Sequence, residues 1–339
     1  MARQAALRAR VSRFGGPDAL DIEEFTSAPS RRNKVRVRVT HASVGSTDAM
    51  ARSGDYLLQP RPGFVPGYDF VGVLETVDSA ADCRGLRPGI RVMGCLARMG
   101  SYTTQLDLPS NRLVQVPDAL GSAQAAALPL DLVTAALAIE LCRPPTGGTI
   151  FMQGVSGSVG SLVSQYGLAN DMKVVGTASE RTRDFAESFG AQVVDYRDPN
   201  WPARVRELTS GGADAGIDHT GSPLVRAAIV PRGTLVRTAW SGRPGQGRRD
   251  AAIGGLVANL RRYASPRERV CSVPLLIALQ PVKYRQILTD QLNLTADGSL
   301  RGPSVTTMPF TEVASAHRAI GMQAAGRKLV LEMPSSVDH

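Results

Sequence analysis

Three glycines, at residues 154, 157 and 160, lie where a short apolar segment gives way to a helical pattern. The preceding segment, Thr149–Met152, is partly β-branched and predicts a buried parallel strand, and the apolar spacing after residue 160 predicts a helix. Such a turn directs backbone N–H groups and the positive end of a helix at an anion. The strict G-x-G-x-x-G pattern is absent, and tight turns also use glycine for steric reasons alone. The candidate cofactor-binding residues here are Gly154, Ser156, Gly157, Ser158, Val159 and Gly160.

A second group of candidate residues follows the next predicted strand. Dinucleotide-binding folds that take NAD place an acidic residue about 20 residues beyond the glycine turn, where it holds the ribose hydroxyls. This sequence has Ala178 there. Ser179 and Arg181 could instead hold a 2′-phosphate, with Tyr196 as a third contact, so the pattern favours NADP over NAD. Glu180 does not fit a phosphate site. The alternative is that Arg181 and Arg183 are only surface residues at the start of a helix.

The turn requires strands and helices that position it. From residue 148 onward the sequence alternates between apolar strand patterns and amphipathic helix patterns, which predicts a doubly wound parallel sheet of the Rossmann type. The first third of the chain instead indicates short strands and turns, including a half-exposed strand at 34–39, and Pro129 must begin or kink a helix within 123–141. The strands predicted in the second region are 149–152, 173–177, 193–195, 215–218 and 234–237, with helices at 161–168, 181–189, 203–208 and 223–229.

Composition limits the classes of function. The chain has 339 residues, of which 43% are hydrophobic and 20% charged, as in globular proteins. No apolar run reaches membrane-spanning length, the first ten residues lack the apolar core of a secretory signal, and four cysteines are scattered. We therefore expect a cytoplasmic protein with reduced thiols. The net charge of +9 comes from arginines spread along the chain, and aromatic residues make up only 5%, so no nucleic-acid partner is expected.

Several segments, taken together and in order, resemble the quinone oxidoreductases of the medium-chain dehydrogenase/reductase superfamily. The resemblance covers nearly the whole chain. It implies a GroES-like, mostly β catalytic domain built from residues 1–125 and 278–339, a Rossmann domain at 126–277, and NADPH in the cleft between them. The matching segments are "ASVGSTDAMARSGDY" (42–56), "PGFVPGYDFVGVLETV" (62–77), "AAALPLDLVTAALAI" (125–139), "GVSGSVG" (154–160), "GAQVVDYRD" (190–198) and "DAGIDHTG" (214–221).

The resemblance also bears on metal chemistry. Alcohol dehydrogenases of this superfamily hold a catalytic zinc with cysteine and histidine, the thiolate and imidazole ligands that zinc prefers. The matching positions here are Gly45 and Tyr68, and Asp69 replaces the family's glutamate. His41 is the nearest imidazole and is more typical of packing. We therefore expect no metal.

Without a metal to polarise a carbonyl, hydride addition to a conjugated carbonyl (enone or enoyl) or quinone is favoured over simple alcohol oxidation. The resemblance implies two catalytic residues: Tyr56, the tyrosine of R-x-G-x-Y, as a proton or hydrogen-bond donor, and Thr134 beside the nicotinamide. Tyr56 could equally line the cleft without acting.

Two alternatives use the same cofactor site. One is a carbonyl or tailoring reductase of secondary metabolism, with a pocket shaped by the arginine-rich stretch within 241–269. The other is a non-catalytic NADPH binder, favoured by the loss of polar side chains at Gly45 and Met50. The resemblance further implies a homodimer that pairs the last strand of the Rossmann sheet, expected at Val270-Cys271-Ser272-Val273.

Overall fold

The computed structural model describes residues 5–27, 33–77, 85–241 and 267–335, together with residues 249, 252 and 253. The chain divides into two compact units. The first unit comprises Met1–Leu130, Val273–Gln323 and Arg327–His339, and the second comprises Asp131–Ser272 and Ala324–Gly326. Most of the arginine-rich stretch within 241–269 lies outside the described residues.

The strands of the described residues are, in chain order, β1 (Ala5–Val11), β2 (Leu20–Thr26), β3 (Val35–Val44), β4 (Asp69–Val77), β5 (Arg91–Cys95), β6 (Gln105–Leu108), β7 (Val114–Gln115), β8 (Thr149–Met152), β9 (Lys173–Ala178), β10 (Gln192–Asp195), β11 (Ala213–Asp218), β12 (Ile229–Arg237), β13 (Glu268–Val270), β14 (Ser304–Pro309) and β15 (Arg327–Glu332).

The α-helices of the same residues are α1 (Ser46–Ser53), α2 (Ser122–Ala126), α3 (Pro129–Cys142), α4 (Ser158–Ala169), α5 (Arg183–Glu187), α6 (Trp201–Leu208), α7 (Leu224–Ala227), α8 (Val273–Leu279), α9 (Pro281–Ala296) and α10 (Val313–Arg318). Pro129 begins a new helix after α2, as its lack of an N–H group predicts. No described helix has both the length and the apolarity needed to cross a membrane.

The first unit is built on β-sheet. Strands β1 and β2 form an antiparallel pair, and a larger sheet has the order β14-β15-β3-β4-β5-β7, with β6 also paired to β3. The predicted half-exposed strand is confirmed within β3, where Val35 and Val37 are fully buried. The intervening Arg36 forms an ion pair with Asp107 across the sheet, with Nη2 and Oδ2 2.8 Å apart. The alternation of apolar and basic residues thus separates a core face from a solvent face.

The second unit contains a parallel sheet of order β10-β9-β8-β11-β12-β13. This is the doubly wound order 3-2-1-4-5-6, which confirms the predicted fold class and all five predicted strands. Helices between the strands cover the sheet, and Phe151 of β8 stacks on Trp201 of α6 with ring centroids 5.1 Å apart. The order reverses between β8 and β11, so the carboxyl ends of these two strands define the ligand-binding edge of such a sheet.

Two predicted elements overlap an element of the other type in the structure. The helix expected at 223–229 ends earlier, because Ile229 already begins β12. The last strand of the parallel sheet is Glu268–Val270 and not residues 270–273, since Val273 begins α8. Pro274 explains the second difference: it has no N–H for a strand ladder and is well tolerated in the first turn of a helix.

Candidate functional site

The glycine turn is tied to the strand beside it. After β8 ends at Met152, the N–H of Gly154 donates to Oγ1 of Thr177 at 2.9 Å, and the N–H of Val155 donates to the carbonyl of the same threonine at 2.9 Å. Gly157 then caps the N-terminus of α4. The first N–H groups of a helix have no partner within it. The turn therefore holds the positive end of α4 at the carboxyl edge of the parallel sheet.

The three glycines have different reasons for lacking a side chain. Gly154 has a φ of 73°, and a Cβ there would lie 2.8 Å from Cε1 of His219. A Cβ at Gly160 would lie 2.5 Å from the carbonyl oxygen of Gly154. Both glycines are thus required by contacts within the protein. At Gly157 a Cβ would meet only that same carbonyl, at 3.2 Å, so its lack of a side chain leaves the approach to the helix N-terminus open.

Ser158, the first residue of α4, uses its hydroxyl within the protein. Its Oγ donates to Oδ2 of Asp131 at 2.5 Å. A serine hydroxyl has one proton to donate, and phosphate oxygens only accept. A phosphate contact at residue 158 would therefore come from the backbone N–H while this bond is kept. The sequence did not predict this contact with Asp131. The two residues lie in different helices, and no local sequence pattern links them.

A chain of three hydroxyls joins the glycine turn to the end of β9. Oγ1 of Thr182 donates to Oγ of Ser156 at 2.9 Å and lies 3.0 Å from Oγ of Ser179. The chain brings together two predicted cofactor-binding serines that lie 23 positions apart in the sequence. Thr182 was missed, although its position three residues after a serine at a helix start is the spacing of an N-terminal cap.

The strand register places the remaining predicted residues at the same edge. Asp195 is the register partner of Ala178, and the N–H of Tyr196 donates to the carbonyl of Ala178 at 3.2 Å. Ser179 and Tyr196 therefore follow neighbouring strand ends. The carboxylate of Asp195 accepts the N–H of Arg197 at 2.9 Å, which turns it to the following loop.

Two arginines beside this edge differ in their contacts. Arg183 donates to the carboxylates of Glu180 at 3.1 Å and Glu187 at 3.3 Å, and to the carbonyl of Val193 at 2.8 Å. These contacts explain Glu180, which did not fit a phosphate site in the sequence: its charge is matched by Arg183. Arg181 is exposed and has no ion-pair partner among the described residues. It is the guanidinium free to meet an added anion.

In the first unit, Tyr56 and Tyr68 form a hydrogen-bonded pair. Their hydroxyl oxygens are 2.9 Å apart and their rings are nearly perpendicular. Burial raises the pKa of Tyr56 to about 12, against the opposing effect of the hydrogen bond from Tyr68. Burial also raises the pKa of Tyr68. Both phenols are therefore protonated at neutral pH and can donate a hydrogen bond or a proton. The sequence had marked Tyr68 only as a missing zinc ligand.

Thr134, the other predicted catalytic residue, lies on α3 within the second unit, whereas Tyr56 lies in the first. Thr134 is half-buried, and its carbonyl accepts the thiol of Cys271 at 3.8 Å.

The carboxylates beside the positions that would hold a catalytic zinc are used in local hydrogen bonds. Asp48 is 4% exposed, and its two carboxylate oxygens accept the N–H groups of Gly45 and Gly67, each at 2.9 Å. Burial raises the pKa of this carboxyl to about 6, although the two hydrogen bonds act in the opposite direction. Asp48 thus joins the start of α1 to the residue before Tyr68 and serves the local structure.

Asp69 is similarly engaged. Its Oδ1 accepts the N–H of Leu130 at 3.0 Å, and its Oδ2 accepts the hydroxyl of Ser43 at 3.1 Å and lies 3.7 Å from Nζ of Lys328. His41 contacts the hydroxyl of Thr40 at 3.0 Å, and burial lowers the pKa of its ring. No group of three or more His, Cys, Asp or Glu side chains in the part of the chain that the structure describes could hold a metal ion. The donors at these positions do not fit a zinc site.

A doubly wound sheet with a glycine turn at its switch point, in a chain whose other unit is rich in β-sheet, is typical of dinucleotide-dependent oxidoreductases. Residues 31–118 match the alcohol dehydrogenase GroES-like domain family, and residues 158–250 match the zinc-binding dehydrogenase family. The quinone oxidoreductase of Pseudomonas aeruginosa is 30% identical over 239 residues, which cover 68% of this chain and 72% of that protein. The chain belongs to the quinone oxidoreductase-like members of the medium-chain dehydrogenase/reductase superfamily, which generally bind a nicotinamide cofactor. The resemblance found in the sequence is confirmed.

Two further likenesses cover almost the whole chain. The mycocerosic acid synthase-like polyketide synthase of Mycobacterium tuberculosis is 27% identical over 342 residues, which cover 98% of this chain. The chain spans only 16% of the length of that synthase. The crystal structure of the JamJ enoyl reductase superposes with a TM-score of 0.82 at 17% identity, covering 97% of this chain and 99% of that one. This second likeness supports the fold.

Proposed function

We propose that this oxidoreductase is an NADPH-dependent, metal-independent reductase that transfers hydride to a conjugated carbonyl or a quinone. The observation that carries the proposal is the Tyr56–Tyr68 pair, a protonated donor in a unit whose zinc positions hold no thiolate or imidazole. Bound NADPH supplies the hydride. The proposal therefore needs a proton donor from the chain and no Lewis acid.

The chemistry assigned to Tyr56 is protonation. Hydride adds to the β-carbon of a conjugated carbonyl, the C=C π electrons move toward the carbonyl oxygen, and one proton completes the reduction at the α-carbon. With a quinone, the same hydride and proton give a hydroquinone. Tyr56 is proposed to donate its hydroxyl proton, or a hydrogen bond, to the developing negative charge. Tyr68 would then donate its own O–H to the Tyr56 oxygen, which stabilises the charge left on that oxygen.

Preference for NADPH is proposed from the charges at the end of β9. A carboxylate at residue 178 would hold ribose hydroxyls and repel a 2′-phosphate, and Ala178 removes it. Glu180 is neutralised by Arg183 and Arg181 has no carboxylate partner in the described chain, so the local balance favours an added anion. Ser179 and Tyr196 would supply neutral hydrogen bonds to the same phosphate. Backbone N–H groups at Ser158, Val159 and Gly160 would hold the pyrophosphate.

A homodimer is proposed from the edge of the parallel sheet. Among the described strands, β13 pairs with β12 on one side only. An open strand edge is a template for pairing, and a two-fold axis that joins two such edges closes the assembly. The expected partner is the same strand of a second copy.

The experiment that tests the proposed function measures loss of NADPH absorbance with a panel of quinones, enones and enoyl thioesters. Enoyl thioesters belong in the panel because the matches over the whole chain include polyketide synthases and an enoyl reductase. Simple ketones serve as the control, since hydride addition to an isolated carbonyl leaves a localised alkoxide, and a metal-independent site has no Lewis acid to stabilise it. Turnover of ketones alone would favour a carbonyl reductase, and binding of NADPH without turnover of any acceptor would favour a non-catalytic binder.

A further inference from the structure

His219 lies at the point where the strand order of the parallel sheet reverses. It follows Asp218, the last residue of β11, and β11 pairs with β8, which leads into the glycine turn. Its imidazole occupies the space that a side chain at Gly154 would need, with Cε1 2.8 Å from the position of such a Cβ. The glycine motif for dinucleotide binding does not include a histidine, so it does not explain the imidazole at this place.

Both the ring and the backbone of His219 are held in place. Nδ1 lies 3.2 Å from the carbonyl oxygen of Gln153. A carbonyl only accepts, so Nδ1 carries the hydrogen and Nε2 of the neutral ring is an acceptor. The carbonyl of His219 accepts both the N–H and the hydroxyl of Ser241, each at 2.9 Å. The imidazole is therefore oriented before any ligand binds.

The loop that follows β11 is also held by side chains of the sheet strands. Asp218 is fully buried, and its carboxylate accepts the N–H groups of Thr220 at 2.9 Å and Gly221 at 2.8 Å. Arg237 of β12 forms an ion pair with the same carboxylate and a second one with Glu268 of β13 at 3.1 Å. These contacts fix the backbone around residue 219 to the strands of the sheet.

The sheet order assigns a part of the cofactor to His219. The residues proposed to hold the adenosine side, Ser179 and Tyr196, follow β9 and β10, which lie on one side of β8. Strands β11 and β12 lie on the other side. A dinucleotide binds across this crevice, with its pyrophosphate at the helix N-terminus between the two halves. The nicotinamide half therefore falls on the side of His219.

We propose that His219 is a cofactor-binding residue whose Nε2 accepts a hydrogen bond from a hydroxyl of the nicotinamide-side ribose. No described residue donates to Nε2. The ribose hydroxyls are donors, whereas pyrophosphate oxygens only accept and cannot pair with an acceptor nitrogen. The inference rests on the proposed function, because it requires that the chain binds a nicotinamide dinucleotide.

The test compares dissociation constants, measured by fluorescence, for NADPH, NADH and 2′,5′-ADP, a fragment that lacks the nicotinamide-side ribose. In His219→Leu, which removes the acceptor, affinity for both dinucleotides should fall by a similar factor of about five to ten, while affinity for 2′,5′-ADP stays unchanged. His219→Gln places an amide oxygen near the position of Nε2 and should restore most of the loss. Thermal unfolding of each variant checks that the glycine turn is intact.

Three results would overturn the inference. Unchanged or tighter NADPH binding by His219→Leu would mean that the imidazole is idle or obstructs the site. An equal loss for 2′,5′-ADP would mean that His219 only supports the turn through Gly154. If the unaltered chain binds none of the three ligands, the proposed function itself fails. This outcome is seen with the unaltered chain alone, so it is distinct from a failure of the inference about His219.

Discussion

The hydroxyl oxygens of Tyr56 and Tyr68 lie 2.9 Å apart, so two phenols from separate segments of the sheet-rich unit share one hydrogen bond. Tyr56 follows the end of α1, where Gly54 adopts a φ of 86° and reverses the chain. Tyr68 immediately precedes β4 and is 3% exposed. The buried Tyr68 therefore forms a hydrogen bond with the half-buried Tyr56. In the proposed function, Tyr56 donates the proton and Tyr68 positions it.

Replacing Tyr56 with phenylalanine removes the proposed donor. If the hydroxyl acts in the transition state, Tyr56→Phe should lower kcat by roughly 10²–10⁴-fold while NADPH affinity is retained. Steady-state kinetics with the best acceptor of the panel, together with a cofactor titration, measure both quantities. A rise in KM at constant kcat would show instead that the ring only lines the site.

Tyr68→Phe should lower kcat less, by about 3- to 30-fold, because the donor remains but loses the partner that orients it. The double variant Tyr56→Phe/Tyr68→Phe should be no slower than Tyr56→Phe alone, since the partner acts only through the donor. Additive losses would contradict the positioning role. A change in the thermal midpoint without a change in kcat would indicate packing alone.

The pH dependence follows from the raised pKa of Tyr56. Burial moves its pKa from 10.0 to about 12, and the proposed function requires the protonated phenol. Deprotonation of Tyr56 therefore should not reduce kcat anywhere between about pH 7 and about pH 10. The pH profile of kcat, measured where the protein stays folded, checks this. A fall in kcat centred below about pH 9 would mean that another group donates the proton.

The sequence predicted the parallel sheet well because buried parallel strands are continuous apolar runs separated by helices of regular length. It also located the glycine turn and the residues after β9. It could not predict contacts that depend on three-dimensional approach. The bond from Ser158 to Asp131 and the packing of His219 on Gly154 join residues 27 and 65 positions apart, which leave no local pattern. Strand β13 was misplaced because the family resemblance put it at residues 270–273, although Pro274 was a usable signal against a strand there.

Two carboxylates near the positions that would hold zinc are already engaged in hydrogen bonds. Asp48 and Asp69 each accept two or more hydrogen bonds within the first unit, and no cysteine or histidine stands at the matching ligand positions. Activity should therefore survive prolonged treatment with a chelator, and elemental analysis of the purified protein should find far less than one zinc per chain. Stoichiometric zinc, with loss of activity on its removal, would restore an alcohol-dehydrogenase mechanism.

The dimer prediction concerns the edge strand β13. Val270 is 40% exposed, and a charge at an open edge opposes pairing with another strand. Light scattering should show a dimer at micromolar concentration, and Val270→Asp should shift it toward the monomer. The matched control is Ile22→Asp, which places the same charge on an apolar residue of β2 that is 38% exposed in the other unit. A monomeric unaltered chain, or equal effects of both variants, would contradict pairing through β13.

Cofactor preference is predicted from Arg181, which has no carboxylate partner in the described chain, and from Ala178, which removes the carboxylate that would hold ribose hydroxyls. NADPH should bind more tightly than NADH, and Arg181→Ala should weaken NADPH binding by about tenfold or more while NADH binding is unchanged, because only NADPH carries the 2′-phosphate. Arg206→Ala is the matched control: it removes the same charge from an exposed position on α6, so it reports any loss due to net charge alone.

Ala178→Asp should act in the opposite sense, adding a carboxylate that repels the phosphate and can bind the ribose hydroxyls of NADH. Fluorescence titrations of both cofactors on the three variants and the unaltered chain measure these changes. Equal affinities of the unaltered chain for the two cofactors, or NADPH binding that Arg181→Ala leaves intact, would show that residues 178–181 do not select the 2′-phosphate.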